Sequence, residues 1–356
     1  MRGLLALCWA SPAFNVKSPL TLLHGCTRAG GRVRQCPLAS LSLSAPAADA
    51  TADALKQLCD MVNRSRSVVV LTGAGISTDS GIPDYRGPAG AYLRGHKPMQ
   101  HDEFMATAAG RQRYWGRSMA GWQFFSTARP NKAHFHLADL EAKGKVNGII
   151  TQNVDRLHSK AGSANVIDLH GRNDRVVCVS CGVLRSRRIF QAQLAGINQA
   201  WLAELAAART AATAGGGSGN GGGCCEADTA AAAARPDGDA ELGVKTDYSG
   251  FVVPPCDRCD DGILKPDVTF FGDSVPPERV EAAFAMVDAA DSILVLGTSL
   301  MVYSGFRFVG RAVQQGKPIA VVNRGYTRAE KAGLPIIKVE EGCAEALARL
   351  VERRGS

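Results

Sequence analysis

The sequence predicts an α/β fold with a doubly wound parallel sheet, because short apolar runs alternate with helical segments along most of the chain. The apolar runs cover 67–72, 148–151, 292–297 and 318–323, and the helical segments cover 54–66, 277–290 and 304–316. Uninterrupted apolar runs of this length are typical of strands that are buried on both faces of a parallel sheet. Alternation of such strands with helices places helices on both faces of the sheet.

Length and composition indicate a folded protein without membrane spans. The chain has 356 residues, of which 46% are hydrophobic and 21% charged, so it can bury the core of one large domain or two modest ones. No run approaches the roughly 18 to 20 apolar residues that a spanning helix requires. We therefore exclude the disordered, collagen-like and transporter classes and expect no membrane as a partner.

Excess positive charge is concentrated at the N-terminus. Residues 1–48 contain five Lys and Arg residues and no Asp or Glu, which leaves a net charge of only +3 for the rest of the chain. That small excess does not favour nucleic acid as a partner. A basic, acid-free leader that contains serine is typical of an organelle transit peptide, and we expect import into the mitochondrial matrix or, alternatively, a plastid. A secretory signal around 4–10 and a disordered tail are the competing interpretations.

Glycine and polar residues follow the predicted strands. Gly73, Asn153 and Gly297 each end a strand, and the fourth strand runs into Asn323-Arg324-Gly325. Because ligands of doubly wound sheets bind at the carboxyl ends of the strands, we expect a binding site there.

The turn after the first strand, Gly73-Ala74-Gly75-Ile76-Ser77-Thr78, has glycines that allow backbone N–H groups to approach a pyrophosphate. By itself this turn favours a nucleotide site no more than an ordinary tight turn. Thr78 replaces the third glycine of the dehydrogenase fingerprint, and no acid for the ribose follows about 20 residues on. Both departures disfavour a dehydrogenase.

Two cysteine pairs have the spacing of metal ligands. Cys178 and Cys181 form one pair and Cys256 and Cys259 the other, separated by 74 residues. Four thiolates can saturate one zinc ion, although the usual loop between the pairs is about 15 to 20 residues. A Gly/Ala-rich, low-complexity insertion at 203–240 accounts for most of the excess, and we expect its Gly/Ala tract at 203–234 to be flexible. We predict one structural Zn, with free thiols or disulfides as the alternative.

One histidine is placed to act in chemistry. His170 follows a short apolar run and precedes the first cysteine pair, and a histidine at such a junction can serve as a general base. A satisfied buried histidine is the competing interpretation, and we adopt it for His158.

Taken together, the segments resemble the sirtuin family of NAD-dependent protein lysine deacylases. The matching stretches are 73–86 (GAGISTDSGIPDYR), 151–158 (TQNVDRLH), 169–171 (LHG), both cysteine pairs, 265–273 (KPDVTFFGD), 297–299 (GTS) and 323–325 (NRG). They occur in the family's order. Tyr85 in place of the commoner Phe, together with 111–115 and 270–273, resembles the class II branch, which includes mitochondrial members.

The resemblance implies a role for each matching residue. NAD, as a co-substrate, would be held by Gly73, Ala74, Gly75, Ile76, Ser77, Thr78, Tyr85, Arg86, Gln152, Asn153, Val154, Asp155, Gly297, Thr298, Ser299, Asn323, Arg324, Gly325 and Cys343. The catalytic residues would be His170, as the base, and Asn153. The substrate would contact Val268, Phe270, Phe271, Gly272 and Tyr303, adding as a strand beside them.

The implied fold is a Rossmann-like sheet with a small zinc-binding domain and a helical lid inserted. A catalytic domain over 49–350 would comprise a core at 53–83, 131–171 and 263–350, a lid at 84–130 and the small domain at 172–262. The implied function is transfer of an acyl group from a protein lysine to ADP-ribose, giving nicotinamide, free lysine and O-acyl-ADP-ribose. ADP-ribosyl transfer to protein at the same site and a non-catalytic zinc-containing binding module are the alternatives.

Overall fold

The computed structural model describes residues 48–214, 235–242 and 246–352. The predicted transit peptide, apart from its last residue, therefore lies outside the described residues. The same holds for 215–234 of the predicted insertion.

Nine strands and eleven helices make up this described part of the chain. The strands are β1 (Val68–Thr72), β2 (Val146–Thr151), β3 (Val166–Asp168), β4 (Gly171–Cys178), β5 (Leu184–Ser186), β6 (Leu264–Val268), β7 (Ser292–Leu296), β8 (Ile319–Val322) and β9 (Ile337–Val339). The helices are α1 (Ala48–Arg64), α2 (His101–Ala106), α3 (Ala108–Thr127), α4 (Lys132–Ala142), α5 (Leu157–Lys160), α6 (Arg187–Ile197), α7 (Gln199–Ala214), α8 (Pro277–Ala289), α9 (Tyr303–Gln314), α10 (Arg328–Lys331) and α11 (Cys343–Glu352). Short 3-10 turns at Ala74–Ile76, Thr78–Ser80 and Ala91–Arg94 lie between β1 and α2.

Six strands form the main sheet in the order β3-β2-β1-β7-β8-β9, and all of them are parallel. Every residue of β1, β7 and β8 is buried, as expected for strands covered on both faces. The doubly wound parallel sheet predicted from the sequence is confirmed.

The observed helices are close to those expected. The predicted helices at 277–290 and 304–316 correspond to α8 and α9. The first helix begins six residues earlier than predicted, at Ala48, because the alanine-rich stretch that precedes 54 continues the helix.

Each face of the main sheet is covered by its own helices. Val68 and Val70 of β1 pack with α1, α4 and α11, whereas Val69 and Leu71 pack with α8 and α9. Successive side chains of a strand point to opposite faces, so one apolar strand supplies both cores. Burial on both faces fixes the strand ends, and hence the edge at which a ligand can bind.

A second, smaller sheet carries the cysteine pairs. Its order is β5-β4-β6, with antiparallel pairing. Trp115 of α3, Phe190 of α6 and Trp201 of α7 form an apolar cluster against it, and Trp115 Nε1 donates to the carbonyl of Leu264 at 3.1 Å. The cluster thereby joins the inserted helices α2 and α3 to the small domain.

Parts of the insertion predicted at 203–240 have defined structure. Residues 203–214 continue α7. Residues 235–240 are largely buried, and Asp239 accepts hydrogen bonds from Arg117 of α3. The expected flexibility is therefore wrong for 203–214, where helix propensity favours the helix, and an ion pair with the lid anchors 235–240. Among the helices described, none is both long and apolar enough to span a membrane.

Candidate active site

A cavity of about 640 Å³ opens at the carboxyl ends of β1, β2, β7 and β8. Most of the residues predicted to bind a cofactor or substrate line it. They are Gly73, Ala74, Gly75, Ser77, Tyr85, Arg86, Gln152, Asn153, Val154, Asp155, Gly297, Thr298, Ser299, Asn323, Arg324 and Gly325 on the cofactor side, Val268, Phe270, Phe271, Gly272 and Tyr303 on the substrate side, and His170. One cavity thus brings together residues that are up to 252 positions apart in the sequence.

Three predicted cofactor residues do not line the cavity. Ile76 is 1% exposed and belongs to the core under the sheet. The Thr78 hydroxyl donates to the Gly75 carbonyl at 3.0 Å and so closes the turn. Cys343 begins α11 within the core, and burial raises the pKa of its thiol to about 12. The structure therefore gives the side chains of Ile76 and Cys343 a packing role and that of Thr78 a turn-forming role.

The glycine turn after β1 lies directly against the turn after β7. Gly75 N–H donates to the Gly297 carbonyl at 2.8 Å. A Cβ on Gly73 would lie 2.6 Å from Cβ of Thr298, and Gly297 has φ +60°. Backbone this close and free of side chains forms a cradle in which N–H groups can approach a phosphate, so the residues present fit a dinucleotide.

Asp155 and Asn153 are fixed at the floor of the cavity. The Ser77 hydroxyl donates to Asp155 Oδ2 at 2.7 Å, and the Leu157 N–H donates to Oδ1 at 2.8 Å. Burial raises the pKa of Asp155, although these two hydrogen bonds oppose the shift. Asn153 Nδ2 donates to the Gly73 carbonyl and to Ser77 Oγ, so its Oδ1 remains to accept a hydrogen bond from a ligand.

His170 lies at the junction of the two sheets with both ring nitrogens engaged. Nδ1 is 2.9 Å from the Gln152 carbonyl oxygen, and Nε2 is 2.8 Å from the Ser304 hydroxyl. Burial lowers the pKa of His170 to about 4, and the positive charges of Arg279 and Arg307 act in the same direction. The ring is therefore neutral at neutral pH, which is the state that a general base requires.

His158 is held in a polar network under the cavity. Its Nε2 lies 2.9 Å from the Thr72 hydroxyl, which donates to Thr151 Oγ1 at 2.8 Å. Burial lowers the pKa of His158 well below its ordinary value. These contacts fit the structural role predicted for it.

The substrate side of the cavity is a rim between β6 and α9. The Thr269 N–H donates to the His170 carbonyl at 2.8 Å, so the chain after β6 is anchored to the base. Across the cavity, Tyr303 is 62% exposed, and the guanidinium groups of Arg307 and Arg328 lie over its ring. The residues of the rim therefore line the same cavity as His170.

Two residues that sequence reasoning missed lie close to predicted ones. Asp237 lines the cavity, and burial raises the pKa of its carboxyl group. The Pro-Asp-Gly turn signal at 236–238 was present, but it adjoined the low-complexity tract. Ser304 is the second residue of α9 and has no motif of its own.

The four predicted metal ligands converge in the small domain. The Sγ atoms of Cys178, Cys181, Cys256 and Cys259 all lie within 4.8 Å of one another. The separations of 3.6 Å and 3.8 Å for Cys178–Cys259 and Cys181–Cys256 match the roughly 3.8 Å between sulfurs of tetrahedral Zn–S bonds of about 2.3 Å. A Cβ on Gly262 would lie 2.6 Å from the Cys259 sulfur. Donor type and geometry therefore fit one structural zinc ion, as predicted.

Comparison with known proteins agrees with this geometry. Residues 73–304 match the model of the Sir2 family. The chain is 49% identical to an NAD-dependent protein deacetylase of Xanthomonas campestris over 82% of this chain and 89% of that protein. It is 42% identical to the NAD-dependent protein deacylase SRT2 of Arabidopsis thaliana over 84% and 76% of the two chains. A solved Sir2–p53 peptide–NAD+ complex is similar with a TM-score of 0.61 and 28% identity, over 85% of this chain and 98% of that one.

Fold and site together define a dinucleotide-binding α/β protein with an inserted zinc-binding domain and a neutral histidine in the cavity. Among proteins of that class, the chain belongs to the Sir2 family, the sirtuins.

Proposed function

We propose that this protein is an NAD-dependent protein-lysine deacylase that consumes NAD, acyl-lysine and water and yields nicotinamide, deacylated lysine and O-acyl-ADP-ribose. The observation that carries the proposal is the position of His170, a neutral histidine in the same cavity as the glycine cradle and the rim between β6 and α9. The similar deacetylases and the solved peptide–NAD+ complex support it.

The residues of the site divide the work between binding and proton transfer. NAD supplies a ribose whose bond to nicotinamide can be broken. The cradle at Gly73 and Gly297 holds the phosphates, and this binding, remote from the reacting carbon, orients it. Asp155 would accept a hydrogen bond from the carboxamide, Asn153 would contact the ribose, and His170 Nε2 would take a proton from a ribose hydroxyl.

The acyl-lysine peptide adds as a strand at the rim in this proposal. Thr269, Phe271 and Gly272 on one side and Met301 and Tyr303 on the other line the cavity where it would add. Contacts made mainly through backbone favour many target sequences, so the identity of the acyl group and of the protein targets is to be found by assay.

The test follows the adenylate part of the co-substrate. NAD labelled in its adenine is incubated with the protein and acyl-lysine peptides. Acyl transfer leaves the label on a small molecule that carries the acyl group, whereas ADP-ribosyl transfer leaves it on protein. Label on protein without an O-acyl product contradicts the proposal, and unchanged NAD favours a binding role.

We further infer that the protein belongs to the class II branch and is imported into an organelle, preferably the mitochondrial matrix and alternatively a plastid. Tyr85 and the FFGD stretch at 270–273 support the class, and the acid-free composition of 1–48 supports import. A fluorescent protein fused to residues 1–48 tests the second point. Diffuse cytosolic fluorescence contradicts it.

A further inference from the structure

Ser304 contacts the nitrogen of His170 on which the chemistry depends. The Gln152 carbonyl can only accept a hydrogen bond, so the neighbouring Nδ1 of His170 carries the proton of the neutral ring. Nε2 then has a free lone pair, and the Ser304 hydroxyl at 2.8 Å donates to it. The backbone thus selects the tautomer, and Ser304 contacts the atom that must accept a proton during catalysis.

The first turn of α9, which contains Ser304, packs directly on Gln152. A Cβ on Gly305 would lie 2.7 Å from Oε1 of Gln152, so any larger residue at 305 would have to displace the Gln152 amide group. Gln152 Nε2 also donates to the Thr72 carbonyl and to Thr298 Oγ1. Ser304 is therefore held at a fixed distance from the base by the helix and by Gln152.

Among the described residues, no carboxylate contributes to the pKa of His170. The charged groups that face its ring are Arg279 of α8 and Arg307 of α9, and the part of the chain that the structure describes gives neither of them an ion pair. On the side of β2, the group that contacts the His170 ring is the neutral Gln152 carbonyl. A serine hydroxyl can rotate, so it can donate to the neutral Nε2 and accept from the protonated one.

We propose that Ser304 is a positioning residue for His170 and links the peptide rim to the base. It holds Nε2 towards the cavity in the correct tautomer and stabilises the ring after the proton has arrived. Because Ser304 directly follows Met301–Tyr303, a peptide that orders this rim also orders the base. This role rests on the proposed deacylase function.

The test compares two isosteric variants in the full chain, S304T, which keeps the hydroxyl, and S304V, which removes it. Two rates are measured with NAD and an acyl-lysine peptide: formation of O-acyl-ADP-ribose, and exchange of labelled nicotinamide into NAD, which precedes the base-dependent step. We expect S304T to stay within about 2-fold of the wild type in both rates. We expect S304V to lose about 10-fold in O-acyl-ADP-ribose formation, as for one lost hydrogen bond, and to keep exchange within about 2-fold. Equal rates in S304V and S304T, or an equal loss of both activities in S304V, overturn the proposal.

A second measurement is independent of turnover. Nitrogen-15 NMR of the histidine rings reports the protonation and hydrogen bonding of each His170 nitrogen. We expect the Nε2 resonance of S304V, but not of S304T, to shift from its wild-type position. If the wild-type protein forms no O-acyl product with any peptide, the deacylase proposal fails, whereas Ser304 is judged by this resonance. An identical Nε2 resonance in all three proteins refutes the contact.

Discussion

Replacing Gly297 by alanine should both strain the backbone and block the glycine cradle. Comparison with the same replacement at Gly316 separates the two costs. Gly297 has φ +60°, and its added Cβ would lie 2.6 Å from the Gly75 carbonyl carbon. Gly316 has a similar φ of +64°, but no atom lies within 4 Å of its added Cβ. The variants G297A and G316A therefore share the conformational penalty and differ in the contact with the turn after β1.

The magnitudes follow from these contacts. A non-glycine residue in the left-handed region costs about 1–2 kcal/mol, which both variants lose from their free energy of unfolding. G297A must also displace Gly75 and weaken the 2.8 Å hydrogen bond from its N–H to the Gly297 carbonyl, which adds about 0.5–1.5 kcal/mol. Because Gly75 belongs to the turn that forms the cradle, we expect its displacement to lower NAD affinity at least about 10-fold, or about 1.4 kcal/mol.

Urea unfolding and calorimetric titration with NAD measure the two effects. We expect G316A to bind NAD like the wild type and G297A to bind it much more weakly, at a temperature at which both are folded. Equal NAD affinity in the two variants would refute the assignment of this turn as the phosphate cradle.

Three further predictions concern the base, pH and the metal. H170A should abolish O-acyl-ADP-ribose formation and retain zinc, because His170 is remote from the cysteines; undiminished turnover removes it from the mechanism. Burial lowers the pKa of His134 from 6.5 to about 4, so its contribution to stability is complete above about pH 6.5 and is lost as the pH falls towards 4, at about 1.4 kcal/mol per pKa unit. Urea midpoints should therefore drop between pH 7 and pH 4.5, and they should drop less in H134Q; equal drops contradict this. C256S should lose the zinc measured by mass spectrometry while C59A retains it, and retention by C256S would contradict a four-cysteine site.

The sheet could be predicted from the sequence because burial on both faces requires a local pattern, a short run of apolar residues. Each strand of the sheet's centre is an uninterrupted apolar run, and the bounds of β1 and β7 differ from those expected by one residue. The turn after β1 and His170 were assigned to the site through motifs, and both line the same cavity. These motifs combine residue types with a chemical role at a fixed spacing, and such a combination indicates a functional site before the fold is known.

Contacts between residues that are distant in the sequence leave no such local pattern. Asp237 reaches the cavity because 235–240 pack on α3 through Arg117 and Asp239, a contact between residues 122 positions apart. Ser304 is one hydroxyl at the start of a helix, and its role depends on where His170 lies. Ile76 and Cys343 were assigned to the cofactor site because their positions match those of the family, but their side chains pack in the core.

The most direct test of the central claim is mass spectrometry of the full chain with NAD and lysine peptides that carry acetyl, longer, branched or acidic acyl groups. The account predicts nicotinamide, deacylated peptide and O-acyl-ADP-ribose in equal molar amounts for at least one acyl group. NAD consumption without any O-acyl-ADP-ribose, or no consumption with any peptide, would contradict it.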